Sequence, residues 1–93
     1  MPFETIGDPK SEASVSWSRN HFRILKEGGI WGVPRSGLMF RKEGGKLICI
    51  ARMPHIAEMP INAEQLKEQQ DSDIEVITES FGLAGIPVED HSK

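Results

Sequence analysis

The stretch NAEQLKEQQDSDIEVITESF, residues 62–81, decides the fold. Asn62 is a good helix N-cap, and Gln65, three residues later, can complete a capping box with it. Side chains suited to a buried face then recur at helical spacing: Leu66, Gln70, Ile74, Ile77 and Phe81. This stripe continues across Asp71-Ser72, where the helix could break, and Gly85 marks its end. The stretch therefore predicts one long amphipathic helix.

Upstream of the helix, closely spaced turn signals predict a meander of β-strands. The tetrad KEGG occurs twice, at residues 26–29 and 42–45, and paired glycines supply the positive φ that hairpin turns need. Between the tetrads, Pro34 and Gly37 suit the second position and the exit of a proline turn. The strands that these turns separate are predicted at His21–Lys26, Ile30–Val33, Leu38–Lys42 and Lys46–Arg52.

The predicted strand Lys46–Arg52 is apolar on both faces, which is typical of a central strand. A simple meander would leave it at the edge of the sheet. We therefore expect another segment to pair with it, and the candidates are Ala13–Trp17 and Ile86–Val88.

Residues 16–26 leave a second interpretation open, because Trp17, His21 and Leu25 are spaced for one face of a short helix. The expected fold class is α+β. It consists of a curled antiparallel β-meander of about four strands, with a fifth short strand as an alternative, packed against one long C-terminal amphipathic helix.

The composition is that of a globular protein, since 38% of the 93 residues are hydrophobic and 27% are charged. We expect a flexible N-terminal arm at residues 1–13, a single domain at residues 14–88 and a C-terminal tail at residues 89–93. The one cysteine, Cys49, precludes an internal disulfide, and no apolar stretch is long enough to cross a bilayer. The polar start does not resemble a signal peptide, so we expect a cytoplasmic location.

Charge is sharply segregated along the chain. Residues 19–55 hold eight basic and two acidic residues, a net +6, whereas residues 56–93 hold two basic and nine acidic residues, a net −7. Five acids of the predicted helix share one stripe opposite its apolar face: Glu64, Glu68, Asp71, Glu75 and Glu79. This stripe is either a solvated face that keeps the protein soluble or a recognition surface for a basic patch on a protein partner. A third interpretation pairs it with the basic segment of another copy in a homo-oligomer.

The basic segment 19–55 supports an alternative function, nucleic-acid binding. Its cations include Arg19, Arg23, Arg41, Lys42 and Lys46. Phe22, Trp31 and Phe40 lie among these cations, as in a platform that stacks bases and binds phosphates. No RNA-recognition signature is present, and a pI of about 5.6 disfavours generic nucleic-acid binding.

We find no catalytic constellation in the sequence. His55 and Glu58 are two potential metal ligands three residues apart, but zinc usually takes three or four protein ligands. Ser36 lacks the nucleophile-elbow pattern, and Cys49 lies within the apolar run KLICIA, where we expect a buried side chain. Neither glycine pair has the lysine and hydroxyl residue of a phosphate-binding loop. We therefore expect no enzymatic activity, no metal and no cofactor.

The run WGVPRSGL at residues 31–38, with Phe40 and ARMP at residues 51–54, resembles small uncharacterised proteins encoded by bacteriophages. The resemblance implies an accessory protein that binds a host or virion component, and it assigns no residue a role. We thus predict a small non-enzymatic protein-binding domain of an accessory or inhibitor-like kind. Its expected contact residues are the five helix carboxylates and Arg35, at the tip of the proline turn.

Overall fold

The computed structural model describes residue 8 and residues 10–33, 36–54 and 61–92. Two helices and four strands occur in the order α1 (Glu12–Ile24), β1 (Ile30–Gly32), β2 (Leu38–Glu43), β3 (Lys46–Arg52), α2 (Ala63–Leu83) and β4 (Val88–Asp90). The strands form one sheet in the order β1-β2-β3-β4. The α+β class and the long C-terminal helix are confirmed.

Helix α2 follows the local signals of its sequence. The predicted capping box is present: Asn62 Oδ1 accepts a 2.8 Å hydrogen bond from Gln65 N, and Gln65 Oε1 accepts one of 3.1 Å from Asn62 N. The helix continues through Asp71-Ser72, as the stripe predicts. Beyond its last turn Gly85 has a φ of 85°, which a residue with a Cβ rarely adopts.

The strand predicted at His21–Lys26 is wrong, and the alternative helix is confirmed in α1. Ser11 caps this helix by accepting from the backbone N–H of Ser14. The inner side of α1 carries the fully buried Ser14 and Ser18. Side chains this small let α1 approach α2 closely, so helix packing overrides the alternating pattern that suggested a strand.

The outer boundaries of the predicted domain also shift. Glu12 and Ala13, expected in the arm, belong to α1, and Glu89 and Asp90, expected in the tail, belong to β4. Outside the described residues lie residues 1–7 and 9 of the predicted arm and Lys93 of the predicted tail.

The first three strands form the predicted antiparallel hairpins. Phe40 of β2 pairs with Trp31 on one side and with Cys49 on the other. Gly44 and Gly45, with φ of 60° and 79°, form the turn between β2 and β3. The second KEGG tetrad therefore acts as the turn sequence that its composition predicts.

The sheet is mixed rather than wholly antiparallel. Strand β4 pairs parallel to β3, with Val88 opposite Leu47 and Asp90 opposite Cys49. The Ile86–Val88 candidate is confirmed at Val88 only, since the strand that pairs with β3 continues to Asp90. The pairing makes β3 a central strand, whereas the Ala13–Trp17 candidate is wrong because it is helical. The direction of β4 has a topological cause, since α2 carries the chain back across the sheet between β3 and β4.

Both helices cover one face of the sheet. The buried cluster there comprises Val33, Leu38, Phe40, Leu47, Cys49, Ile77, Phe81 and Ile86. Phe81 of α2 lies at the centre of an aromatic group, with its ring 6.4 Å from that of Trp17 and 5.7 Å from that of Trp31. Leu66, Gln70, Ile77 and Phe81 are the buried members of the predicted helix stripe.

Candidate functional site

The acidic stripe of α2 divides into free and paired carboxylates. Glu64, Glu68 and Glu75 are exposed, and within the described part of the chain none of them forms an ion pair. Glu79 lies 3.4 Å from Lys10 Nζ, in a pair open to solvent. Asp71 pairs with Arg52 over 2.7 Å. Three of the five predicted contact residues are therefore available to a partner without breaking an ion pair.

Arg52 reaches Asp71 because β3 carries a bulge. Phe40 pairs with Cys49 and Met39 with Ala51, so Ile50 is an extra residue in β3. In a regular strand, residues 49 and 52 would point to opposite faces. The extra residue reverses the alternation and turns Arg52 toward α2, where its Nη1 donates to Asp71 Oδ1.

Arg52 joins three segments through its planar guanidinium group. Besides Asp71 on α2, it donates from Nη2 to Asp90 Oδ2 of β4 over 2.9 Å and from Nε to Ser92 Oγ over 2.9 Å. Ser92 also donates to the Asp90 carboxylate from both its hydroxyl and its backbone N–H. We call this group, Arg52 with Asp71, Asp90 and Ser92, the arginine network. It fixes both α2 and the end of the chain's described part to β3.

Proton affinities in the arginine network favour the charged forms. The hydrogen bond to Asp71 raises the pKa of Arg52, despite some burial. Burial alone would raise the pKa of Asp90, but hydrogen bonds from Ser92 and Arg52 outweigh it and hold that pKa below the ordinary value of 3.8. Arg52 and Asp90 thus stay ionised at neutral pH.

A half-open cleft of about 530 Å³ lies beside the arginine network. Arg52, Lys67, Gln70, Asp71 and Ser92 line it. Gln70, on the buried stripe, donates from Nε2 to the backbone carbonyl of Met53 over 3.0 Å. All three guanidinium nitrogens of Arg52 donate to carboxylate or hydroxyl oxygens, so the site works as an internal tie between elements.

The residues of the nucleic-acid alternative do not lie on one surface. Arg19 and Arg23 are exposed on α1 rather than on the sheet. Arg41 is paired with Glu43 at 2.9 Å and Lys46 with Glu89 at 2.7 Å. Lys42 points to the other face of β2 from Arg41. There its Nζ donates to the backbone carbonyl of Phe22 over 2.9 Å and lies 4.3 Å from the centroid of the Phe22 ring.

The aromatic residues of the predicted stacking platform belong to the interior. Phe40 has no exposed surface, and Trp31 is partly buried against it with ring centroids 5.5 Å apart. Phe22, a residue of α1, is partly buried, and the ammonium group of Lys42 lies over its ring. The described residues therefore form no flat aromatic surface on which bases could stack.

Several residues that were considered as contact residues, metal ligands or nucleophiles belong to no site among the described residues. Arg35 lies outside the described residues, as do His55 and Glu58. Ser36 is buried, and no group of the described residues forms a hydrogen bond with its hydroxyl. Among the residues with described positions, no group of three or more His, Cys, Asp or Glu side chains could hold a metal ion.

Cys49 lies in the core, as predicted from the KLICIA run. Its side chain is completely buried, and burial raises the pKa of the thiol. Because the thiolate is the nucleophile, a buried thiol with a raised pKa is an inert core residue.

The role of Arg52 was not predicted from the sequence. A long charged side chain at the end of an otherwise apolar strand was the available signal, since such a residue needs a partner when it is buried. The bulge that turns the side chain toward α2 has no mark in the local sequence.

Comparison of the chain with protein-family models, curated proteins and solved structures finds no match. In the part of the chain that the structure describes, neither helix is both long enough and apolar enough to span a bilayer.

Proposed function

We propose that this chain is a small non-enzymatic domain that binds a protein partner through the exposed carboxylates of α2. The observation that supports it is the position of Glu64, Glu68 and Glu75 on one outward face of a rigid helix, with no cation paired to them among the described residues. A partner with lysines or arginines at matching spacing would neutralise this charge.

Like charges at helical spacing disfavour α2 by a few tenths of a kcal/mol for each pair. The capping box and the buried stripe stabilise the helix against that cost. The arginine network also fixes Asp71 within the same stripe. The result is a carboxylate row held on a rigid element, so that little backbone ordering remains to oppose association.

The nucleic-acid alternative has weaker support, because Arg41, Lys42 and Lys46 are each engaged by groups of the same chain. The phage resemblance suggests a host or virion protein as the partner, and a cytoplasmic location would suit either. Arg35, between β1 and β2 in the sequence, is a second proposed contact.

The charge proposal is tested with Glu64→Gln/Glu68→Gln/Glu75→Gln, which removes three charges and keeps the side-chain size. The matched control is the triple Asp variant, which keeps all three charges on shorter stems. Each protein is immobilised, exposed to host lysate and eluted with a salt gradient.

Support requires a protein that elutes from the native and Asp-substituted chains and is lost from the Gln-substituted chain. Mass spectrometry then identifies it. Equal retention by all three chains, with all three equally folded by circular dichroism, would contradict the proposal.

A further inference from the structure

The sheet has one face that no helix of the described residues covers. Leu38 and Phe40 of β2 lie in the buried cluster between the sheet and the helices. Because side chains alternate along a strand, Met39 and Arg41 point the other way. We call this second side of the sheet, away from both helices, the outer face.

The pairing register carries the outer face across all four strands. One row of registered residues crosses it from β1 to β4: Ile30, Arg41, Ile48 and Glu89. The neighbouring row crosses the first three strands: Gly32, Met39 and Ala51. The first row alternates apolar and charged residues, and the second row is uncharged.

The outer face is open to solvent beside its apolar residues. Ile30 is 47% exposed, and Met39 is partly buried. Trp31 packs on the helix side, so a side chain at Gly32 would project from the outer face, and a Cβ built there would meet nothing within 4 Å. As far as the described residues extend, the area around Ile30, Gly32 and Met39 is therefore free to contact a second molecule.

The charged residues of the outer face balance one another. Arg41 pairs with Glu43 at 2.9 Å, and Lys46 pairs with Glu89 at 2.7 Å. Apart from His91, which lies 2.8 Å from Glu89, this face thus carries two cations and two carboxylates. A strongly acidic or basic partner gains no net attraction from such a face.

A second copy of the chain suits this charge pattern. In a two-fold dimer every contact occurs twice, so the cations of each copy can lie near carboxylates of the other. The acidic stripe of α2 does not oppose the approach, because a helix layer separates it from the sheet.

The distances involved are large. Packed sheets lie about 10 Å apart, and a helix layer is about 10 Å thick. The acidic stripes of two copies would therefore be more than about 20 Å apart, well beyond the Debye length of about 8 Å at physiological salt.

We propose that two copies of this chain associate through their outer faces, with Ile30 and Met39 in the contact and the ion pairs around them. Such a dimer presents two α2 helices on opposite sides, so a partner of the acidic stripe would find two binding sites. The contact uses no residue of that stripe, so either proposal can fail while the other holds.

Sedimentation velocity of the purified chain at increasing concentrations measures the association. Ile30→Lys places a charge within the contact, and Leu83→Lys is the matched control at an apolar residue of α2 that is 55% exposed. Ile30→Lys should raise the dimer dissociation constant at least about tenfold, because burying an unpaired charge is costly, and Leu83→Lys should change it less than about twofold.

Lysine acetylation locates the contact in the native chain. Lys46 lies on the outer face with its side chain 36% exposed, whereas Lys67 is exposed on α2. The rate of acetylation of Lys46 relative to that of Lys67, measured by mass spectrometry, should fall severalfold as the protein passes from monomer to dimer.

Three results would overturn the proposal. One is a chain that stays monomeric at every concentration. Another is an equal effect of the two lysine substitutions in variants that circular dichroism shows to be equally folded. The third is a dimer in which the relative reactivity of Lys46 is unchanged, which would place the contact on another surface.

Discussion

Ser18 Oγ of α1 lies 2.7 Å from Ser80 Oγ of α2, and both side chains are completely buried. Ser80 also donates to the backbone carbonyl of Ser14 over 3.2 Å. Because the one hydroxyl proton of Ser80 is used there, Ser18 must be the donor in the serine pair. Two small hydroxyl side chains thus satisfy each other at the closest approach of the helices.

Ser80→Ala should lower the free energy of unfolding by about 1–3 kcal/mol, because it removes the acceptor of the buried Ser18 hydroxyl. Urea denaturation measures the loss, and Ser72→Ala, at an exposed serine of the same helix, is the control. The double variant Ser18→Ala/Ser80→Ala should cost less than the two single changes added together. Strict additivity would show that the two hydroxyls do not interact.

Arg52→Ala should destabilise the protein by about 2 kcal/mol, since hydrogen bonds to charged groups are among the stronger ones. Arg52→Lys should recover less than half of that loss, because an ammonium group cannot reproduce the planar fork. Arg41→Ala, at an exposed pair with Glu43, should cost less than about 1 kcal/mol and is the control.

Arg52→Ala should also loosen the pairing of β4 with β3 before the rest of the sheet opens. The Leu47 amide donates to Pro87 O and the His91 amide to Cys49 O, so both report on the β3–β4 junction. In Arg52→Ala their hydrogen exchange should accelerate more than that of amides between β1 and β2. A uniform acceleration across the sheet would contradict a local role for the arginine network.

Burial lowers the pKa of His21 below its ordinary value of 6.5, and in the described part of the chain its Nε2 has no hydrogen-bond partner. The unfolded chain therefore takes up a proton at higher pH than the folded one. Stability is intact above the unfolded value and falls as pH drops below it toward the lowered pKa of the folded state.

His21→Phe keeps a ring between Trp17 and Trp31 and removes the titration. We expect its free energy of unfolding to change less than that of the native chain between neutral pH and pH about 5. An identical pH dependence in His21→Phe and the native chain would contradict the assignment.

Cys49 should react with a thiol reagent such as Ellman's reagent at least a hundredfold more slowly in the folded protein than in urea. The thiol has no exposed surface and its pKa is raised, so both access and thiolate concentration are reduced. The time course of absorbance at neutral pH measures this. A rate near that of the unfolded chain would mean that the thiol is available for chemistry.

Helix α2 could be predicted in detail because its cap and its buried stripe are properties of neighbouring residues. The hairpins and the central position of β3 were predictable for the same reason. Helix α1 was harder, because its contact with α2 is made by Ser14 and Ser18, which a hydropathy pattern places on the outside.

Features that depend on distant segments escaped the sequence analysis. The parallel direction of β4 follows from the path of α2 across the sheet. The orientation of Arg52 follows from one extra residue, Ile50, in the pairing of β3 with β2. The acidic stripe was predicted as a set of five equal residues, whereas Asp71 and Glu79 have partners that only the folded chain brings near.

The edge of β3 that pairs with β4 also matters for aggregation. Leu47, Ile48 and Cys49 form a buried apolar run in β3, and such segments stack into fibrils when an edge is exposed. Among the described strands β4 lies at the edge of the sheet, and it carries Glu89 and Asp90, charged residues that discourage edge-to-edge stacking. If the carboxylates of Glu89 and Asp90 were protonated, or their ion pairs with Lys46 and Arg52 lost, β4 could detach from β3. A protected central strand would then become a template for fibril growth.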